Sequence, residues 1–293
     1  MRELTSLDAH AHLDHVRTVD DLADSGSILA MTLSLEEAAL VVDRRDPQVV
    51  WGVGCHPRKL GAQESFDAER FRDLAERTAV VGEIGLDIGS HYSHAALETQ
   101  LQTFRKVLKI VSDMPRIVSI HSYLATGLVI KELRQKPIDV PILHWWTGNI
   151  ADTREAVALG CYFSVHSAVA RHSKFRTAVP PERILIESDH GLADPPEAIP
   201  CRVEWAEHLI AQQLGLTREH VRRLAWQNLS TIVRKTNTHK LLPEPFLARM
   251  TMLVIRPTTS NNARASIWLG IGGNEYTNSI LVSKEFSTKI GST

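Results

Sequence analysis

The 293-residue chain has only three cysteines, Cys55, Cys161 and Cys201, an odd number with no CxxC pair among them. An odd number of widely spaced cysteines without a CxxC pair indicates neither a disulfide framework nor a zinc ribbon, and reduced thiols are expected. No stretch approaches the roughly 20 apolar residues needed to cross a bilayer. From Met1 the chain runs into polar and acidic residues without an apolar signal core, so a cytoplasmic location and no membrane partner are expected. Charge excess is also missing. With 33 Lys and Arg against 34 Asp and Glu, the chain is not built to coat duplex DNA through a broad basic face, a mode that depends on neutralising many phosphates. A site that grips one or two phosphates remains compatible with this balance. The hydrophobic fraction of 43% and charged fraction of 23% are those of a globular chain. Its length suits one large α/β barrel or two smaller domains.

What is present is a recurrence of short apolar or β-branched runs separated by segments of helical period, the pattern of βα units around a parallel sheet. Eight runs read as strands: 6–9, 28–33, 49–53, 79–83, 116–120, 140–143, 161–165 and 184–187. Helical spacing fills 34–44, 67–77, 94–112, 125–135, 150–159 and 168–177, and two more helices are expected at 201–214 and 218–235. In the longest, Leu97, Leu101, Phe104, Leu108 and Val111 recur at three- and four-residue steps. Eight strands each followed by a helix is the count of a TIM (β/α)8 barrel. Past Thr236 the character changes, with a Thr-, Ser-, Asn- and Gly-rich run from Thr258. The expected division is a barrel domain over 1–236 and a C-terminal extension over 237–293, either loosely ordered or partner-binding. Within the extension, "ASIWLGIGG" and "SILVSKEF" have the makings of a short hairpin.

In such a barrel the chemistry sits at the C-terminal ends of the strands, and titratable residues gather there. The first strand ends in His10 and His12, the third runs into His56, and the fourth carries Glu83. The fifth ends in His121, the sixth in His144 and the eighth in Asp189. Residues two apart on a strand share a side, so His10 and His12 can offer two imidazoles to one zinc, manganese, iron or nickel ion. Alone, an HxH pair is more often a surface or turn feature, and a lone His121 or His144 is more often a hydrogen-bonded core residue than a ligand. Glu83 is harder to set aside. A carboxylate closing the run Val80, Val81, Gly82 would be buried, which costs several kcal/mol unless a cation or partner meets it. Asp8 is expected to orient an imidazole, and Asp14 to be an ordinary loop residue.

Six segments in order carry a family resemblance: "DAHAHLD", "GCHP", "VGEIGLD", "IHSYLA", "HWWTG" and "ESDHG". Over about residues 5–235 the chain resembles the TatD-type metal-dependent nucleases of the amidohydrolase-like superfamily. The resemblance implies that His10, His12 and Asp189 hold one divalent ion (Mg, Mn or Zn), that His121 and His144 hold a second, and that Glu83 bridges the two. It further implies phosphodiester hydrolysis, with Asp189 as proton acceptor and His56 contacting the phosphate or leaving oxygen. The related phosphotriesterase and dihydroorotase types usually bridge their metals with a carboxylated lysine, a role that falls to Glu83 here. Trp146 stands at the family's aromatic position and is either a stacking surface for a base or a packing residue; Trp145 reads as packing.

Two departures concern substrate handling. Tyr123 stands where the family has an arginine, so a phosphate contact is lost or replaced, and Gly191 stands where it has a proline, with His190 beside Asp189. With these departures "HWWTGN" is also similar to the TatD-like component of Qat anti-phage defence operons, which implies operon-encoded partner proteins, with the tail as their contact. The implied activity is exonucleolytic trimming of single-stranded DNA ends. Two alternatives stay open: a metallohydrolase acting on another phosphoester or an acylated tRNA end, and a non-catalytic subunit of a defence complex.

Overall fold

The computed structural model describes residues 4–22, 25–89, 95–191 and 200–253. Its eight strands are β1 (Leu7–Ala11), β2 (Ser27–Ala30), β3 (Val49–Val53), β4 (Val80–Gly85), β5 (Ile117–His121), β6 (Pro141–His144), β7 (Tyr162–Val165) and β8 (Ile184–Ile186). They pair in parallel in chain order. At the seam β8 returns to β1, where the Asp189 N–H donates to the His10 carbonyl at 3.0 Å and the His12 N–H to that of His190 at 2.5 Å. The chain is therefore a TIM barrel, as the strand count predicts. Every strand is buried nearly throughout, since the lumen is filled and helices cover the outside. This is why the strands read as continuous apolar runs rather than as alternation.

The described helices are α1 (Leu35–Val41), α2 (Leu60–Glu64), α3 (Ala68–Ala75), α4 (Leu97–Asp113) and α5 (Thr126–Gln135), followed by α6 (Ile150–Ala158), α7 (Lys174–Thr177), α8 (Glu204–Leu214), α9 (Arg218–Thr236) and α10 (Glu244–Met252). Side-chain caps fix four of the starts: Ser34, Asp67, Asn149 and Thr217 each accept a backbone N–H from the first turn. Left-handed Gly215 and Asn237 end α8 and α9. None of the described helices is long and apolar enough to cross a membrane.

Three expectations are corrected. The buried face of α4 runs through Gln100, Phe104, Val107, Leu108 and Val111, while Leu97 is exposed. Gln100 takes an inward position because its amide grips a loop: its oxygen accepts the Asp87 N–H at 2.8 Å and its NH2 donates to the Asp87 and Ala95 carbonyls. The helix expected over 168–177 shrinks to α7, because the chain after β7 first turns on the His166 carbonyl, which accepts from Val169 and Ala170. Past Thr236 the folded body continues to α10, whose Phe246 packs on Trp226 with ring centroids 5.7 Å apart. The prolines of "LLPEPFLARM" disguise this helix, yet Pro243 caps it and Pro245 lies in its first turn, where no N–H is required. The expected hairpin lies outside the described residues.

Lys174 of α7 is buried, and its ammonium donates to the Gly148 carbonyl at 2.7 Å, tying α7 to the turn after β6. Burial pulls its pKa down to about 8. The unfolded chain therefore holds this proton more tightly, so Lys174 should make stability rise as pH climbs from about 8 toward 10.5. Urea unfolding of the wild type and Lys174→Met at pH 7.5 and 9.5 should show the wild type gaining on the variant. A pH-independent difference would contradict it.

Candidate active site

The strand ends reach the site through local irregularities. The β1–β2 register shifts between Asp8 and Ala11, bracketing His10, and the β4–β5 register shifts between Val81 and Ile84, bracketing Glu83. Such shifts re-aim a side chain out of the regular pleat. At Glu83 the backbone is held from β2: Glu83 N–H donates to the Thr32 carbonyl at 3.1 Å and Thr32 N–H to the Gly82 carbonyl at 3.0 Å. These two bonds pass over Gly54, where an added Cβ would lie 2.0 Å from the Thr32 oxygen and 2.4 Å from the Glu83 nitrogen. The glycine of "GCHP" is thus required by the approach that places Glu83.

Glu83 is buried at the centre of the imidazoles. Its Oε2 faces Nε2 of His12 at 3.0 Å, of His56 at 3.2 Å and of His10 at 3.6 Å. Its Oε1 faces Nδ1 of His121 at 2.6 Å and Nε2 of His144 at 2.8 Å. Asp189 Oδ1 stands 3.5 Å and 3.7 Å from Nε2 of His10 and His12. The seven residues singled out at the strand ends therefore converge at one rim.

The outer ring nitrogens decide what each imidazole can do. His12 Nδ1 lies 3.3 Å from the Met31 carbonyl, an acceptor only, so it carries the hydrogen. His121 Nε2 donates to Asp87 Oδ2 at 2.8 Å, and His144 Nδ1 faces Glu187 Oε1 at 3.5 Å. In the neutral rings the remaining nitrogens are lone pairs, and all three aim at the Glu83 carboxylate. Acceptors opposed at 2.6 to 3.0 Å need either a proton or a metal cation between them. His56 differs: its Nδ1 accepts the Arg58 N–H at 3.0 Å, so its Nε2 bears the proton, 3.2 Å from Glu83 Oε2. His10 Nδ1 pairs with Ser119 Oγ at 2.7 Å.

Protons on the imidazoles are one answer to that need. Burial opposes charge on His144, yet the carboxylates of Glu83 and Glu187 lift it well above the ordinary imidazole range. Burial pushes against the ionised Glu83, but His56, His144 and His121 hold it well below the carboxylate range. Burial pushes Asp189 up to about 6. Three overlapping donor groups have their atoms within 4.8 Å: His10, His12 and Asp189; His10, Glu83 and His144; and His56, Glu83 and His121. Imidazole nitrogens mixed with carboxylate oxygens suit a divalent metal of the first transition row, and the donor set fits such an ion.

The cluster floors a cleft of about 710 Å³, whose walls include Arg58, Tyr123, Trp145 and His166. Tyr123 is 47% exposed there, its ring against Gly89. Trp146 is corrected as a stacking surface. Its indole is fully buried, donates to Thr153 Oγ1 at 2.8 Å and meets Phe163 edge-on, with Gly148 closed against its ring. The indole in the cleft is that of Trp145, which packs against the core as expected and also lines the cleft wall. Asp8 is corrected too: it orients no ring but accepts the His10 N–H at 3.3 Å and the Ser188 N–H at 3.0 Å, together with the Ser188 hydroxyl, fastening β8 to β1. Asp14 only caps its own turn.

Sequence reasoning passed over Asp87, Glu187, Arg58 and His166. The first two lie inside quoted motifs, "VGEIGLD" and "ESDHG", and their burial after apolar strands was the available signal. Arg58 follows "GCHP" directly, and among the described residues it is the guanidinium lining the cleft. His166 stands in no motif.

A family model described as "TatD related DNase" matches residues 7–234. The tatdn3 protein of Danio rerio is 25% identical over 78% of this chain and 97% of its own length. A "3'-5' ssDNA/RNA exonuclease TatD" of Cronobacter sakazakii is 27% identical over 65% of this chain and 78% of its own. Among solved structures, YJJV, a TatD homologue from Escherichia coli k12, superposes with a TM-score of 0.64 at 19% identity, covering 78% of this chain and 97% of that one. With its barrel and the strand-end cluster in place, the chain belongs to the family of TatD-related DNases.

Proposed function

We propose that this protein is a divalent-metal-dependent nuclease that trims single-stranded DNA from an end. The observation that carries the reading is the Glu83 carboxylate, one oxygen facing His10 and His12, the other facing His121 and His144. In this reading His10, His12 and Asp189 would hold one ion and His121 and His144 a second, with the Glu83 carboxylate shared between the two sites. The relative named for ssDNA and RNA exonuclease activity supports the substrate class. Bound ions of this kind polarise a phosphoryl oxygen and lower the pKa of water.

The chain's own groups supply the rest. Asp189, 22% exposed at the mouth of the cluster, takes the proton of the attacking water. His56, whose Nε2–H points into the site, donates to a phosphate or leaving oxygen, and Arg58 offers the cleft a guanidinium. Tyr123 leaves the fifth strand's rim without a cation, so Arg58 on the third takes over the phosphate contact. Asp87 and Glu187 fix the His121 and His144 rings so that one nitrogen of each faces inward.

The test is a panel of end-labelled single-stranded DNA, duplex DNA and RNA with the protein in Mg²⁺ or Mn²⁺, beside a simple phosphodiester. Stepwise shortening of single-stranded DNA, stopped by chelator, is the expected result. Hydrolysis of the simple diester with every oligonucleotide intact would overturn the nuclease reading in favour of a small-phosphoester hydrolase.

A further inference from the structure

Trp145 is the largest feature of the cleft that metal binding does not use. Its backbone sits in the left-handed region at φ 40°, a conformation that a bulky L-residue adopts only when its surroundings impose it. The imposing group is Glu187. This buried carboxylate accepts the Trp145 N–H at 2.7 Å through Oε1, while its Oε2 is engaged by the Ser164 hydroxyl. The outcome is an indole turned away from the barrel wall, where its neighbour Trp146 is buried, and laid on the His166 ring. The two rings stack with centroids 3.9 Å apart and planes 26° from parallel, and both line the cleft above the ligands. Trp145 is only partly buried: one side packs against the core, while the core's fully buried aromatic at this turn is Trp146 on Phe163.

The geometry points to the Trp145–His166 pair as a base-stacking platform that seats the nucleobase beside the scissile phosphate of a single strand. This rests on the nuclease reading and adds what selects the substrate. Trp145 and His166 line the same cleft as Glu83, His121, His144 and Asp189, so a base on the platform shares that cleft with the phosphate held at the cluster. Any base has a π-face, which makes the contact tolerant of sequence. A base inside a duplex has both faces covered by its neighbours, so the platform favours an unpaired end. Glu187 acts as a positioning residue, because one oxygen of its carboxylate meets both Trp145 N–H and His144 Nδ1. The platform and the metal ligand are set by the same group.

The experiment compares, on metal-loaded protein, a single-stranded oligonucleotide with its twin lacking only the terminal base. The wild type should show a KM about 5- to 150-fold lower for the intact strand, the range set by stacking worth about 1–3 kcal/mol per base at 1.4 kcal/mol per tenfold. Trp145→Ala should bring that ratio close to one, Trp145→Phe should restore part of it, and His166→Ala should lower it without touching the backbone at Trp145. Each ratio compares two substrates on one protein preparation, so a fall in folded or metal-loaded fraction leaves it unchanged. A wild type that cleaves both strands with equal KM, or a Trp145→Ala variant that keeps the wild-type ratio, overturns the platform and leaves the nuclease reading standing. A wild type that cleaves neither strand while hydrolysing a simple diester overturns both.

Discussion

Glu83→Gln should lower oligonucleotide hydrolysis by about a hundred- to a thousandfold, the scale on which loss of one pre-placed electrostatic group is felt. Purified variant protein should also carry less metal. The side chain is nearly isosteric, so the barrel around it has no cavity to collapse into. What changes is donor character: one of the two carboxylate oxygens becomes an NH2. That group would meet the inward lone pairs of His121 and His144, or of His12, and satisfy them without an ion. The metal-free variant should therefore melt no lower than the metal-free wild type, while losing the stabilisation that added metal gives the wild type. That stabilisation is about 2.7 kcal/mol for an ion at a hundred times its Kd, or roughly 5–10 °C in a domain of this size. Elemental analysis and thermal melts with and without Mn²⁺ measure both effects. Wild-type metal content together with wild-type turnover in Glu83→Gln would refute the bridging role.

Asp189→Asn should lower kcat by about a hundred- to ten-thousandfold, the range for removing a positioned proton acceptor, and shift KM for a single strand only a few-fold. Asparagine suits the position: Asp189 sits at φ 48°, where Asn is among the residues most tolerant of the left-handed region, and its N–H can still donate to the His10 carbonyl. His10, His12 and Glu83 remain as donors, so much of the bound metal should stay. Elemental analysis of the variant, with kcat expressed per metal-loaded site, separates proton transfer from metal loss. In a cell where the gene has a phenotype, full function of this variant would assign the protein a binding or scaffolding role rather than catalysis.

The sequence was most informative where chemistry and topology coincide. His10, His12, Glu83, His121, His144 and Asp189 all lie at or just past the ends of barrel strands, so counting strands also located the cluster around Glu83. Legibility fell where two residues of one kind are adjacent. "HWW" does not say which indole faces the lumen wall and which the cleft, because a single left-handed φ at Trp145 exchanges them and has no sequence signature when the residue is not glycine. The role of Asp8 was hidden for a related reason. Its partners, Ser188 and the His10 N–H, come from the closing strand and the backbone, whereas the eye goes to the neighbouring imidazoles. α10 was hidden by its prolines, which break a helix in its interior but not in its first turn.

The bond from Ser188 to Asp8 joins positions 180 apart in the chain, and the ring of strands closes across it. Such sequence-distant pairing raises contact order, and chains of this kind reach the native state slowly, since loop-closure entropy is spent before the contact rewards it. Asp189 meets His10 and His12 only after that closure, so the full donor set is absent from any partly wound barrel. Ion binding by the full donor set would consequently wait for that closure, and metal uptake in a refolding experiment would then time the joining of the first and last strands.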